Sequence, residues 1–321
     1  MKIGIIGTGA YAIALASMLE NYHRITMWTK LEEEFLELEK FHTNKKVLDY
    51  RLSNEINFTM DIEKATLNMD IIIIAIPAIF LKDTIVEMRP FIKKQTILIA
   101  TKGLEKNSNS FIHEFIKKEL NSSKIACISG PTFAKDIILK EPIGLTLASK
   151  DKNVLEKCLT AFSPIPYLNL DTSTDILGCE LCGILKNIIA ILSGLLEGSK
   201  FNPSTKAKFF VMASLEIKRL ITKLGGKQET FFTYAGIGDL MLTTTSSDSR
   251  NYTFGYLIGS NDNFLEYKNK TTIEGLENLI SMREILKRNN ITSKVIDILY
   301  KIVYLHEEKD IIIDYLKNKN Q

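Results

Sequence analysis

The stretch CGILKNIIAILSG, residues 182–194, sets a lysine and an asparagine inside an otherwise apolar run. Between residues 176 and 195 the only other clearly polar side chains are Glu180 and Ser193. Glu180, Asn187 and Gly194 recur every seven residues, so on a helix they share one face. Lys186 lies about 100° round from Asn187. Cys182 and Gly183, one turn earlier, are small and leave room beside it. Burial there lowers a lysine's pKa and lets it exchange a proton near neutral pH. The competing arrangement is a lysine that snorkels outward to water.

Three further segments carry polar chemistry. TKGLE (101–105) ends an apolar run at a Lys-Gly step, and SGPTFAKDI (129–137) follows another such run. AGIGDLMLTTTSSDSRNYTFG (235–255) joins a glycine turn, Asp239, several hydroxyls and an SRN triplet. Asp239 and Thr243 are four apart and can share a helix face. Ser249, Arg250 and Asn251 could hold a phosphate through a guanidinium fork, a hydroxyl and backbone N–H groups, or could simply be a turn with a helix cap.

The amino-terminal IGIIGTGAYAIALA places Gly7, Gly9 and Ala12 in the pattern G-x-G-x-x-A. Gly7 allows a tight turn out of a strand, and Gly9 lets a pyrophosphate approach the backbone. A small residue at Ala12 lets the following helix pack closely, with its N-terminus facing the phosphates. The motif alone is weak; its place between a strand and a helix strengthens it. A site for NAD usually has an acidic residue after the second strand. Here that strand ends MWTK, and Lys30 suits a 2′-phosphate, although Glu32, Glu33 and Glu34 follow closely. The expected cofactor is NADP or NAD, with NADPH slightly favoured.

These segments need elements to position them. Strand-length apolar runs occur at 1–6, 24–29, 70–77, 96–101, 124–129 and 143–149, with helical patterns at 11–21, 31–40, 80–88 and 108–119 between them. The acidic helix 31–40 is expected to present a solvated face. Strands alternating with helices imply a doubly wound, parallel, Rossmann-like α/β sheet, and ligands of such sheets bind beyond the carboxyl ends of the strands. From about residue 175 strand patterns vanish and helices take over at 175–196, 203–224 and 274–288. Pro203 suits a helix start and Gly225-Gly226 a stop. The expected organisation is a dinucleotide-binding α/β domain, 1–178, followed by an all-α substrate domain, 179–321.

Bulk properties narrow the function. The 321 residues carry 41 basic and 38 acidic side chains, a net charge of +3. That balance argues against a nucleic-acid partner and allows a local cationic pocket. No membrane span is expected, and the glycine spacing gives the first residues a role that a signal peptide does not need. Cys179 and Cys182 form an isolated C-x-x-C, expected to be two small buried residues in a reducing, cytoplasmic setting. His23, His42, His113 and His306 are scattered, so a metal site is not expected, and most should be at the surface.

The stretches GTGAYAIALA, TKGLE, SGPTFAKDI, GCELCGILKNIIAI, AGIGDLMLTTTSSDSRNYTFG and TIEGLEN together closely resemble the bacterial NAD(P)-dependent sn-glycerol-3-phosphate dehydrogenases, in family order over essentially the whole chain. The resemblance implies reversible reduction of dihydroxyacetone phosphate to sn-glycerol 3-phosphate, which feeds phospholipid synthesis. It implies that Lys186 is the general acid/base, oriented by Asn187 and Asp239, and that Lys102 sits where substrate meets nicotinamide. Gly130 and Thr132 resemble substrate contacts. So do Ser249, Arg250 and Asn251, which match a phosphate-binding SRN. Ala10, Tyr11, Ala134 and Glu274 resemble cofactor contacts, with Arg250 also near the cofactor. A homodimer is plausible.

The chain departs from the family pattern at Ala12, where a third glycine is usual, and at Lys30, where arginine is usual. NKKVLDYRLSNEI (44–56) lacks the usual prolines, and Lys208 stands where alanine is common. Two rivals are another two-domain hydroxyacid or hydroxyacyl-CoA dehydrogenase and a non-catalytic nucleotide sensor. The second would have no reason to keep Lys186, Asp239 and Arg250 together.

Overall fold

The structure is a computed structural model that describes residues 1–45, 47 and 50–317. The chain divides into two compact units, Met1–Ile176 and Leu177–Gln321.

The first unit is built on an eight-stranded sheet. Its strands are β1 (Lys2–Ile6), β2 (Arg24–Trp28), β3 (Asn57–Thr59), β4 (Ile71–Ile74), β5 (Thr96–Ile99), β8 (Ile125–Ser129), β9 (Ile143–Ala148) and β10 (Leu168–Ser173). Two short strands, β6 (Leu104–Glu105) and β7 (Ser110–Phe111), form a separate antiparallel hairpin. The helices are α1 (Ala10–Leu19), α2 (Glu32–Phe41), α3 (Ile62–Thr66), α4 (Leu81–Met88), α5 (Ile112–Leu120), α6 (Ala134–Ile138) and α7 (Lys152–Phe162). Strand order is β10-β9-β8-β5-β4-β1-β2-β3. The four consecutive isoleucines of β4 are all buried, as a strand covered on both faces requires.

The sheet is parallel-dominated, with one departure from an all-parallel arrangement: β8 and β9 pair antiparallel, Ser129 opposite Thr146. The five-residue α6 spans only about 7 Å, too little to carry the chain back along β8 for a parallel return, so β9 runs the other way. Several elements carry too little periodicity to show in the sequence, among them β3, β10 and the β6–β7 hairpin. The helix expected from residue 108 begins only at Ile112, because residues 104–111 fold as that hairpin. Glu105 fixes its turn by accepting hydrogen bonds from Asn107 N and Ser108 N. Burial raises the Glu105 carboxyl, but these bonds and the Ser108 hydroxyl outweigh it and hold the group below its usual range.

The second unit is helical: α8 (Ile176–Gly198), α9 (Pro203–Lys223), α10 (Asp239–Thr245), α11 (Arg250–Ser260), α12 (Phe264–Lys270), α13 (Glu274–Arg288), α14 (Lys294–Tyr304) and α15 (Ile311–Lys317). A π-helical turn, Tyr234–Gly238, leads into α10. α8 is long and apolar enough to cross a membrane, but 83% of its most apolar window is buried inside the protein. It is the central rod of this unit.

Two glycine pairs set the spacing of α8 against α11. A Cβ at Gly194 would sit 1.9 Å from the Tyr252 carbonyl oxygen, and one at Gly198 2.1 Å from that of Tyr256. From the other side, a Cβ at Gly255 would meet the Ile191 carbonyl oxygen at 1.8 Å and one at Gly259 that of Leu195 at 2.3 Å. Small residues four apart on both helices let the two backbones touch. Lys208 of α9 donates to the Leu316 carbonyl at 2.5 Å, tying the last turn of α15 to α9. That bond accounts for a lysine where alanine is common.

All four cysteines are buried and none forms a disulfide. Burial pushes the Cys158 thiol up to about 12. Of the four histidines only His306 is exposed, and His113 is buried. The expectation of mostly surface histidines therefore fails: His23 and His42 are held half-buried by bonds to the carbonyls of Ala161 and Ser53.

Candidate functional site

In the helical unit Lys186 does not snorkel. It is 8% exposed, and Asp239 is 1% exposed. Its Nζ donates to Asp239 Oδ1 at 2.5 Å and to Thr243 Oγ1 at 2.9 Å. The Thr243 hydroxyl in turn donates to the Asp239 carbonyl at 2.7 Å, so its lone pairs face the ammonium. Burial alone would favour a neutral lysine, but a carboxylate in contact favours the charged form of both partners. The geometry suits an ammonium beside a carboxylate, with Asp239, named above as an orienting partner of Lys186, in direct contact with it.

Local structure aims Asp239. The π-helical turn brings Gly236 so close to Phe231 that a Cβ would lie 2.1 Å from its carbonyl oxygen. Only glycine allows that approach, and Asp239 follows at the first position of α10. π-Helical turns are frequent at functional sites.

A second cluster lies one residue along α8. Asn187 Nδ2 donates to Glu274 Oε2 at 3.0 Å, and Asn251 Nδ2 donates to Asn187 Oδ1 at 3.0 Å. The backbone N–H of Gly275 donates to Asn251 Oδ1 at 2.8 Å. Arg250 Nη2 donates to Glu274 Oε1 at 3.1 Å. Arg250 is half-exposed, while Asn251 is buried. Ser249 is the buried N-cap of α11, its hydroxyl oxygen accepting from Tyr252 N at 3.3 Å. Of the two readings of SRN the helix cap is present, in Ser249; Asn251 is buried and bonded to Asn187, and Arg250 reaches outward. The hydrogen bonds of Asn187 run to Asn251 and Glu274, not to Lys186.

In the α/β unit the glycine loop joins β1 to α1. Gly7 has φ +121°, and a Cβ there would lie 2.5 Å from the Ala75 carbonyl oxygen. Gly9 differs: a Cβ on it would meet nothing within 4 Å. It is the N-cap of α1, which has no side-chain cap and no acidic residue in its first turn. Open space over a glycine at an uncapped helix N-terminus fits a dinucleotide pyrophosphate. Ala10 and Tyr11 open that helix, and Ala12 is fully buried in the core.

Two residues to which the sequence reading gave no role at this loop, Glu34 and Asn44, clasp it. The Thr8 hydroxyl donates to Glu34, and Asn44 Nδ2 donates to the Thr8 carbonyl at 3.0 Å. Glu34 is buried, which corrects the expectation of a solvated face for the whole acidic run of α2. Charge density in sequence gave no hint of it; only the fold brings that carboxylate to the loop. Lys30 lies exposed just beyond β2 and pairs loosely with Glu87 at 3.7 Å.

The other predicted residues of this unit lie beyond the carboxyl ends of β5 and β8. The Thr101 hydroxyl donates to the Ile76 carbonyl at 2.8 Å, and Gly103 turns with φ +120°, so Lys102 sits between two fixed points. After β8 a Cβ on Gly130 would lie 2.6 Å from the Gly144 carbonyl oxygen. The Thr132 hydroxyl is buried with no hydrogen-bond partner, as is that of Ser129. Buried hydroxyls of this kind are rare and call for a partner. Ala134 begins α6. Among the described residues no group of His, Cys, Asp and Glu could hold a metal ion.

Both units match proteins of one known family. Residues 2–155 match the family model described as NAD-dependent glycerol-3-phosphate dehydrogenase N-terminus, and residues 175–314 match the corresponding C-terminus. The chain belongs to the NAD-dependent glycerol-3-phosphate dehydrogenase family. It is 34% identical over 311 residues to a glycerol-3-phosphate dehydrogenase [NAD(P)+] of Staphylococcus haemolyticus, covering 94% of this chain and 93% of that protein. It is 36% identical over 313 residues to the Staphylococcus aureus protein of the same name, with the same two shares covered. The crystal structure of glycerol-3-phosphate dehydrogenase from Coxiella burnetii matches over 99% of both chains, with a TM-score of 0.92 and 27% identity.

Proposed function

We propose that the protein reduces dihydroxyacetone phosphate reversibly to sn-glycerol 3-phosphate, with NADPH or NADH as hydride donor, and supplies phospholipid synthesis in the cytoplasm. The observation that carries this reading is the buried ammonium of Lys186, held by Asp239 and Thr243 in a chain of this family.

A reduced nicotinamide dinucleotide held through its pyrophosphate at the glycine loop would supply the hydride. Gly7, Gly9, Ala10, Tyr11 and Ala12 form the turn that takes the pyrophosphate. Lys30 lies where a ribose 2′-phosphate would be met, the basis for a slight preference for NADPH. Lys102, Gly130, Thr132 and Ala134 present polar and small groups at the carboxyl edge of the sheet for the nicotinamide and substrate. These assignments make 1–178 the cofactor domain and 179–321 the substrate domain.

As hydride arrives at C2, negative charge grows on the carbonyl oxygen. Lys186 stabilises that charge and gives up its Nζ proton to it. Asp239 holds the ammonium charged until then, and Thr243 aims it. Arg250 binds the phosphate, which does not react, and that binding orients C2. Ser249 starts the helix that carries Arg250. Asn187, Asn251 and Glu274 position these groups. A homodimer is proposed.

The test is oxidation of NADPH and of NADH, followed by absorbance, with and without dihydroxyacetone phosphate. Oxidation that depends on that substrate is expected. Tight NADPH binding without turnover would sink the reading.

A further inference from the structure

Lys30 is held by an acid from another helix, not by the acidic run that follows it. Glu33 pairs with Lys45 at 3.9 Å, and Glu34 accepts the Thr8 hydroxyl. The partner of Lys30 is Glu87 of α4, at 3.7 Å. Both backbones are pinned. The Thr29 N–H donates to the Thr59 carbonyl at 3.2 Å, and the Thr29 hydroxyl accepts from the Leu31 N–H at 3.2 Å, which fixes the residue between them at the end of β2. Glu87 stands on a helix anchored by Leu81, Ile85 and Met88, each fully buried. Freedom is left to the two side chains, which are 72% and 40% exposed.

The direction of the pair decides what it can do. β4 and β5 are parallel, so α4 between them must carry the chain back from the carboxyl edge of the sheet. Glu87 is the last but one residue of α4, about 9 Å along the helix from Leu81. Dinucleotides bind beyond the carboxyl edge. An ammonium paired with Glu87 therefore points away from the place where it would meet a ribose 2′-phosphate, and it cannot hold both anions at once. At 3.7 Å the pair is too long for a hydrogen bond, and exposed pairs of this kind are weak. A phosphate can take the lysine over at a small cost.

We propose that Glu87 is a specificity-determining residue of the cofactor site, competing with the 2′-phosphate for Lys30. The inference rests on the reading of Lys30 as the residue that meets that phosphate. NADPH must draw Lys30 away from Glu87 in order to bind. NADH carries a hydroxyl in place of the phosphate and leaves the pair intact. The cost falls on NADPH alone and keeps its advantage small. The acid that commonly selects NAD follows the second strand and bonds the ribose hydroxyl. Glu87 works differently, by occupying the cation.

The experiment is calorimetric titration of the protein with NADPH and with NADH, without dihydroxyacetone phosphate, in wild type, Glu87→Gln, Lys30→Met and the double variant. Glu87→Gln is expected to tighten NADPH binding by about two- to fivefold, the worth of one exposed ion pair, and to leave NADH binding unchanged. Lys30→Met should weaken NADPH more than NADH. In that background Glu87→Gln should have no effect, because nothing is left to compete for. No gain in Glu87→Gln, an equal gain for both dinucleotides, or a gain that persists without Lys30 overturns the competition. The last of these would mean that the carboxylate repels the phosphate directly. Lys30→Met tells two failures apart. If it loses discrimination between the dinucleotides while Glu87→Gln changes nothing, Glu87 is a surface charge and Lys30 keeps its role. If it leaves discrimination as it was, Lys30 does not meet the phosphate and both readings fall. Tm should barely change in the three variants, since the pair is exposed, so an altered affinity does not report a folding defect.

Discussion

Lys186 Nζ and Asp239 Oδ1 lie 2.5 Å apart although 53 residues separate them in sequence, and both are shielded from water. Lys186→Ala should lower kcat by about 10²- to 10⁴-fold, the range for loss of a positioned proton donor. Cofactor affinity should change little. The variant also strands a buried carboxylate, costing on the order of 3–5 kcal/mol of stability, so turnover should be measured well below its Tm. Near-normal kcat would remove Lys186 from the chemistry.

Asp239→Asn keeps the shape but removes the counter-charge. The ammonium form of Lys186 is favoured by that charge, so without it the lysine loses its proton at lower pH. Reduction needs the protonated form. The high-pH limb of the kcat profile should therefore move to lower pH in Asp239→Asn. A limb that stays in place would mean Asp239 does not set the charge of Lys186.

Arg250→Ala should raise KM for dihydroxyacetone phosphate by about 10- to 100-fold, from loss of hydrogen bonds to a charged group. Arg250 is half-exposed and its ion pair with Glu274 is open to solvent, so Tm should barely change. Unchanged KM would leave Arg250 as a surface charge.

Gly7 and Gly9 should separate cleanly. Gly9→Val has room and an ordinary φ of −67°, so it should fold, yet fill the space over the loop and weaken NADPH binding. Gly7→Val forces a side chain into a left-handed φ and against the Ala75 carbonyl, so it should lose stability. Calorimetric titration with NADPH and thermal unfolding check both. Normal NADPH affinity in Gly9→Val would contradict the proposed pyrophosphate site.

Gly255→Ala should part α8 from α11, because its Cβ would fall on the Ile191 backbone. A loss of about 1–3 kcal/mol is expected from such overpacking, together with loss of turnover, since the same contact brings Asn187 to Asn251. By contrast, Lys208→Ala should cost about 1 kcal/mol and leave kcat unchanged. Its effect should appear as faster amide exchange in α15, whose last turn it anchors.

Much of the molecule was legible in order. The isoleucine run of β4, the glycine loop, and the change to helical texture near residue 175 follow from local periodicity and from glycine's tolerance of tight turns. The family resemblance pointed to Lys186, Asp239 and Arg250 as candidates. Three things were not legible. The antiparallel β9 depends on how far a five-residue helix can carry the chain. Glu34 looked like one more acid on a solvated face. The Gly255–Gly259 pair carried a visible signal, two glycines four apart, but its meaning appears only beside Gly194 and Gly198.

The sequence by itself determined which side chains were available and, for Lys186 and the glycine loop, which element would carry them, because those choices rest on neighbours within a few residues. Only the tertiary structure decided the partners. It set Lys186 against Asp239 and linked Asn251 through Asn187 to Glu274. Hydrogen bonds and ion pairs between residues tens of positions apart depend on backbone approaches of a few ångströms, and sequence spacing does not encode those distances.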